Sequence, residues 1–284
     1  MSTVKWYLFN LQFWIIAFDV SMGFLCIPFM LLPRMAGFPL GIAQYFGVPI
    51  LFQTMMILIY LGFTLISIIA VFENRFNALC TFSFQQSWKF WRRPYLYAHY
   101  IGTAVIAVPF IFMVPEQSEA KKRTFQNLPC LPKYIYDAPV FVFSENYVYV
   151  VSSVVLFSFT MLGELIFFVT YLLTNTIHQM NSIRVSYRTA EIQKQLVNAL
   201  IIQSFLPFTV LGLPMIYAWM SVMFDYYNQA YMNIALVICC THGFCSTVVM
   251  ICVHKPYRNE LVRLLFSPKE RYGPRRSDNV VDSS

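Results

Sequence analysis

Between Met35 and Phe72 the chain runs for 38 residues without a charged side chain, then places Glu73, Asn74 and Arg75 together before apolar residues resume. A helix needs about 20 apolar residues to cross the hydrocarbon core of a bilayer. Five more stretches of that kind accompany the Tyr45–Phe72 part of this one, namely Trp6–Leu32, Tyr95–Val114, Tyr147–Leu173, Leu196–Phe224 and Tyr226–Val253. Of 20 basic and 13 acidic residues, only Asp19 and Glu164 fall inside the six. Soluble domains carry about 25% charged residues. This chain carries 12%, too few to cover a globular surface with charge. The expected fold class is therefore all-α, a polytopic membrane bundle of six spanning helices.

Basic residues in the connections orient such a bundle. With Met1 inside, the cytosolic pieces hold fifteen: Lys5, then Arg75, Lys89, Arg92 and Arg93, then Arg184, Arg188 and Lys194, and seven from Lys255 onward. The other side holds five, Arg34, Lys121, Lys122, Arg123 and Lys133, with Glu116, Glu119, Asp137 and Glu145 beside the last four. Both termini are expected in the cytosol. The net charge of +7 then reflects attraction to the inner leaflet and not nucleic-acid binding. Lys5 before an apolar run resembles a signal peptide. The run is too long for one, contains Gln12 and Asp19, and lacks a small-residue cleavage site, so a retained spanning helix is expected.

This frame places Glu73-Asn74-Arg75 at the cytosolic end of the second span. Two readings stand. Arg75 can be an interfacial anchor, favoured by the helix C-terminus and anionic headgroups. Alternatively, an acid and a base two residues apart form a switch that a cytosolic partner or a helix movement releases.

The blocks "KWYLFNLQFW" before Asp19, "AGFPLG", "GVPILFQ", "FENRFN", "LPCLPKYIYDAPVFV", "QSFLPFTVLGLP" and "VHKPYR" follow one another from Val4 to Phe266. In that order they resemble the nematode serpentine chemoreceptors of class H, seven-helix G-protein-coupled receptors. The resemblance implies a chemosensory receptor for a small environmental molecule, signalling to a heterotrimeric G protein from the plasma membrane of a sensory neuron, at its cilium. It sets Glu73, Asn74 and Arg75 where other receptors have an acid–arginine–tyrosine triplet, and "HKPYR", with Tyr257, at the end of the last helix. The likeness starts at the family's second helix, so the six spans correspond to helices two to seven. A chain lacking the first helix is expected to fold and signal poorly.

Other residues invite separate readings. A charge in hydrocarbon is costly, so Asp19 and Glu164 are expected to face the bundle interior, in a switch network or in plain interhelical hydrogen bonds. Pro207 and Pro214, seven apart on nearly one face of the fifth span, impose either a static kink or a hinge that swings its cytosolic half. Cys239, Cys240, His242 and Cys245 tempt a metal assignment, but steps of three drift around a helix and do not converge as tetrahedral ligation requires. No metal or cofactor is expected. Cys130 in the outer loop is left unassigned, with Cys26 its one plausible partner within the chain. After Pro256, Tyr257, Leu261, Leu264 and Leu265 alternate with Arg258 and Arg263 as a short surface helix closing the bundle at about residue 266, and residues 267–284 read as a disordered cytosolic tail.

No HExxH, GxSxG or phosphate-binding glycine loop occurs, which argues against an enzyme. A voltage-gated channel requires arginines repeated along one span. A six-helix small-molecule transporter is the alternative function, since six spans with both ends inside suit it. Ligand-induced G-protein signalling separates the two. The outer aromatics around "IYDAPVFVFSENYVYV" favour an apolar or weakly polar ligand.

Overall fold

A computed structural model describes residues 2–79, 85–128, 131–181, 187–253, 258–259 and 261–263. Helix α1 (Ser2–Val20) continues as a π-turn over Ser21–Leu25, and strands β1 (Pro28–Met30) and β2 (Met35–Pro39) follow. Next come α2 (Ile50–Leu79), α3 (Gln85–Phe112), the short α4 (Gln117–Asn127) and α5 (Lys133–Tyr136), and strand β3 (Phe141–Ser144). The long helices α6 (Tyr147–Asn181) and α7 (Tyr187–Met223) precede α8 (Gln229–Cys240) and α9 (His242–Val253). Among the described residues five stretches are long and apolar enough to cross a membrane: Lys5–Leu25, Ile50–Ala78, Gln85–Phe112, Tyr147–His178 and Gln229–Val249. Within α7, Phe208–Met223 supplies a shorter one. The chain is a polytopic helical membrane bundle, with large apolar side chains such as Trp6, Phe9, Phe112, Leu156 and Phe205 exposed on its flanks. Lipid is the solvent that suits such a surface.

Helix ends depart from the expected ones for local reasons. The first helix stops at Leu25 and not Leu32, because Pro28 has no N–H to donate and disfavours helical backbone before it; Ile27 turns to φ 41°. The second begins at Ile50, just after Pro49, where Gly47 at φ 70° turns the chain. Nothing between Glu73 and Leu79 breaks it, so the charged triplet lies inside the helix and not at its end. The third begins ten residues before Tyr95. It carries Lys89, Arg92 and Arg93 as helical residues and tolerates Pro94 within it. The last expected span is two helices, broken at Thr241.

The end of the expected first span and two stretches expected in loops form an antiparallel sheet of order β1-β2-β3, with Phe29 opposite Phe38 and Ala36 opposite Val142. Gly37 is required there, because a Cβ would collide with the Phe29 carbonyl. The Gln117 side chain pairs with both backbone groups of Val142 at 3.0 Å, satisfying an otherwise free strand edge. Leu31, Ala36, Phe38, Ala120, Leu131, Ile135 and Val142 give this cap a core of its own. Arg34 reaches Asp225 at 3.2 Å and Arg123 reaches Glu145 at 2.7 Å, tying the cap to the α7–α8 turn and to the start of α6.

Helix α2 is the axis of the bundle. More than half of its most apolar stretch is buried, against a third or less for the other membrane-length helices. Ile66, Ile69, Phe72 and Phe76 on it pack with Leu11 and Ile15 of α1 and Met161, Phe168 and Leu172 of α6.

Candidate functional site

Two features stand at opposite ends of α2. Near the sheet end, a partly open cavity of about 640 Å³ is lined from α1, α2, α3, α6, α7 and α8 and by Phe29, Phe38 and Phe143 of the sheet. Ligand pockets run from about 300 to 1,000 Å³. Its walls are mainly aliphatic and aromatic, Pro214 among them, with Gln53, Thr54, Thr103, Ser153 and Ser158 as polar members.

At the far end lies a buried ion pair. The Glu73 carboxylate is fully enclosed and accepts from Arg92 Nε at 3.0 Å and Arg92 Nη2 at 2.9 Å. Trp88 Nε1 donates to the same carboxylate at 3.0 Å. Arg92 Nη2 also reaches Asn74 Oδ1 at 3.2 Å and Tyr7 OH at 3.4 Å. One guanidinium therefore joins α1, α2 and α3. The two-point contact fixes its plane, as single-point lysine contacts do not.

This arrangement corrects the expected pairing of Glu73 with Arg75. Residues two apart on a helix point to nearly opposite faces and cannot meet. Glu73 turns inward to Arg92, while Arg75 is half-buried on another face and its Nε has no hydrogen-bond partner among the described residues. Below the pair is an open groove of about 610 Å³ lined by Asn77, Lys89, Phe90, Arg92, Arg93 and Pro94.

Polar contacts continue along α3, where Trp88, Arg92, Tyr95, His99 and Thr103 recur at intervals of four, three, four and four and so share one stripe. Glu164 on α6 accepts from the Tyr95 hydroxyl and lies 3.0 Å from His99 Nε2. His99 Nδ1 faces the Tyr95 carbonyl at 2.9 Å. The rings of Trp88 and Tyr95 lie 5.4 Å apart, linking this cluster to the Glu73 pair. A third cluster joins α1, α2 and α3, in which Asn10 Nδ2 donates to Ser67 Oγ and Tyr100 OH, both at 2.9 Å.

Asp19 stands apart from all of these. Its Oδ1 is 3.5 Å from Nδ1 of the fully buried His242, too poorly aligned for a hydrogen bond. Gly243 leaves it room, since a Cβ there would occupy the place of Asp19 Oδ2. The sequence pattern sets Asp19 and Glu164 facing the interior and Glu73 and Asn74 at a helix end; the structure half-buries the first two and buries the second two. The sequence pattern did not foresee Arg92, Trp88, Tyr95, His99, Asn10, Ser67 or Gln53. The signal in the sequence is the stripe in "WKFWRRPYLYAHYIGT", which its charges divide between a loop and a span.

Pro207 and Pro214 both lie within α7, and Pro214 is buried. Cys26 is buried with a free thiol. Tyr257, Cys130, Leu264, Leu265 and the tail from residue 267 lie outside the described residues.

A helical membrane bundle with an internal cavity at one end and a buried charge pair at the other has the layout of a transmembrane receptor. Residues 1–267 match the family described as "Serpentine type 7TM GPCR chemoreceptor Srh", and the chain belongs to that family. It is 26% identical over 275 residues to "Serpentine receptor class H-72" of Caenorhabditis elegans, an alignment covering 95% of this chain and 78% of that relative. The family is one of receptors, not of enzymes.

Proposed function

We propose that the chain binds a small environmental molecule in the cavity at the sheet end and signals to a heterotrimeric G protein at the Glu73 end. The cap faces outward, the Glu73 end and both termini face the cytosol, and the membrane is the plasma membrane of a sensory cell, at its cilium. The observation that carries this reading is the position of the Glu73–Arg92 pair. It lies twenty residues along α2 from the cavity residue Gln53, about 30 Å at 1.5 Å per residue, and eight from Leu65, where the cavity ends on that helix.

In the resting state Glu73 and Asn74 hold Arg92, and with it α3, against α2. Arg75 and the basic groove below are left for a cytosolic partner. Ligand binding against α7 bends it at Pro207 and Pro214, moving its cytosolic half, and the Arg92 contacts open. Tyr257 and the chain beyond it complete the coupling surface. Glu164, through Tyr95 and His99, holds α3 and α6 in register between the two ends, and Asp19 of α1 faces His242 of α9. Family membership supports the receptor reading and brings nothing to the transporter alternative.

The test is a calcium or cyclic-nucleotide readout in cells expressing the chain with a panel of G-protein α subunits, challenged with small apolar volatiles. The expected result is a response that Ala107→Phe, which fills the cavity, abolishes at matched surface expression. Ligand-dependent solute flux with no G-protein signal would replace this reading with transport.

A further inference from the structure

The cavity wall contains one polar group in an unusual state. Gln53 on α2 is 2% exposed, and its Nε2 donates to the Val48 carbonyl at 2.8 Å. That bond fixes which end of the amide carries the oxygen. The oxygen itself, Oε1, is buried and has no partner among the described residues. A buried carbonyl with two free lone pairs is costly unless something donates to it.

Four hydroxyls also line the cavity, those of Ser153 and Ser158 on α6 and two on α2 and α3 that are engaged within their own helices. Thr54 Oγ1 donates to the Ile50 carbonyl at 3.0 Å, and Thr103 Oγ1 to the His99 carbonyl at 2.9 Å. Among the described residues no Asp, Glu, Lys, Arg or His lines the cavity, so an ion entering would lose its hydration with no countercharge to meet there.

We propose that Gln53 Oε1 is the polar anchor of the ligand, and that the ligand is an uncharged, mainly apolar molecule bearing at least one hydroxyl or N–H donor. This rests on the reading of the cavity as the ligand site. The apolar body packs against residues such as Ala107, Phe110 and Phe143, and the donor points to the sheet end of α2. An ether or hydrocarbon of the same shape fits the same space but leaves Oε1 unpaired. Discrimination therefore comes from the hydrogen bond and affinity from apolar burial.

The experiment uses the full chain in phosphatidylcholine nanodiscs, with empty discs subtracted. The fluorescent probe 1-aminoanthracene is displaced by 1-naphthol or by 1-methoxynaphthalene, which differ in the donor. On wild type, 1-naphthol should act at a concentration roughly five- to tenfold lower, the worth of one net hydrogen bond. Gln53→Leu should bring the two within about twofold while 1-methoxynaphthalene keeps its wild-type affinity. Gln53→Met, which retains the side-chain length, replaces it if thermal unfolding shows that the leucine variant is not folded. No donor preference in wild type, or a preference kept by the Gln53 variant, overturns the anchor and leaves the cavity standing as a binding site. Wild-type discs that bind 1-aminoanthracene no better than empty ones, or binding unaffected by Ala107→Phe, overturn the cavity reading and the anchor with it.

Discussion

Removing Arg92 is the perturbation whose cost the structure defines most sharply. Arg92→Ala takes away the two guanidinium contacts at 2.9 and 3.0 Å and leaves the fully enclosed Glu73 carboxylate with Trp88 Nε1 alone. Breaking a buried pair from one side costs about 3–5 kcal/mol, because the remaining charge is uncompensated. Replacing both partners by apolar residues of similar size is often close to neutral. Glu73→Leu/Arg92→Leu should therefore be more stable than Arg92→Ala, although it carries more substitutions. Lys89→Ala, at an exposed position on the same helix, should stay within about 0.5 kcal/mol of wild type. Reversible unfolding in mixed detergent micelles, followed by tryptophan fluorescence, gives all three differences. The reasoning is refuted if Arg92→Ala is no worse than Lys89→Ala, or if the double variant is no more stable than Arg92→Ala.

Arg75→Ala is expected to leave stability within about 1 kcal/mol and to reduce ligand-driven signalling at matched surface expression; an unchanged response would support the interfacial-anchor role instead. Pro207→Ala/Pro214→Ala should straighten α7 and shift basal or agonist-driven activity, read by spin labels on the cytosolic ends of α2 and α7; distances identical with and without agonist in wild type would remove the hinge. Gly243→Ala should destabilise by about 1–3 kcal/mol, the usual range for overpacking, because the new methyl displaces Asp19; a neutral result in the same unfolding assay would show that Asp19 has room to move. In the cap, the backbone N–H groups of Glu119 and Ser118 hold the Glu116 carboxyl below the ordinary carboxylate range. Its stabilisation of α4 is present in full above the unfolded-chain value of about 4.3 and disappears as pH falls through the lower folded value. Hydrogen exchange over residues 117–127 should quicken in that acid window in wild type, and Glu116→Gln should remove the pH dependence.

The bundle was legible because uncharged runs of membrane length leave a chain few alternatives. Helix ends were less so. Pro28 and Pro49 moved two boundaries by several residues, whereas Pro94, an equally strong breaker by composition, lies inside α3. Lys89, Arg92 and Arg93 looked like loop residues because charge was used to bound the spans. Arg92 enters the helix on the strength of a partner 19 residues away, which no local pattern reveals. The small sheet was hidden for a related reason: β1 lies in apolar sequence assigned to the first span, β2 in the connection after it, and β3 reaches β2 from more than a hundred residues on. Gln53 was readable only as an uncharged residue in an uncharged run. Its unpaired oxygen appears once the helix and the Val48 carbonyl have been placed.

The central claim is that the Glu73–Arg92 contact holds the cytosolic end closed to a G protein. Glu73→Gln keeps the size of the side chain and removes its charge. Nucleotide exchange on purified heterotrimers of each α class, catalysed by equal amounts of folded wild-type or Glu73→Gln chain in nanodiscs without ligand, measures the effect directly. The account predicts faster basal exchange for Glu73→Gln with at least one class. Equal rates with every class that the wild type can activate would contradict it.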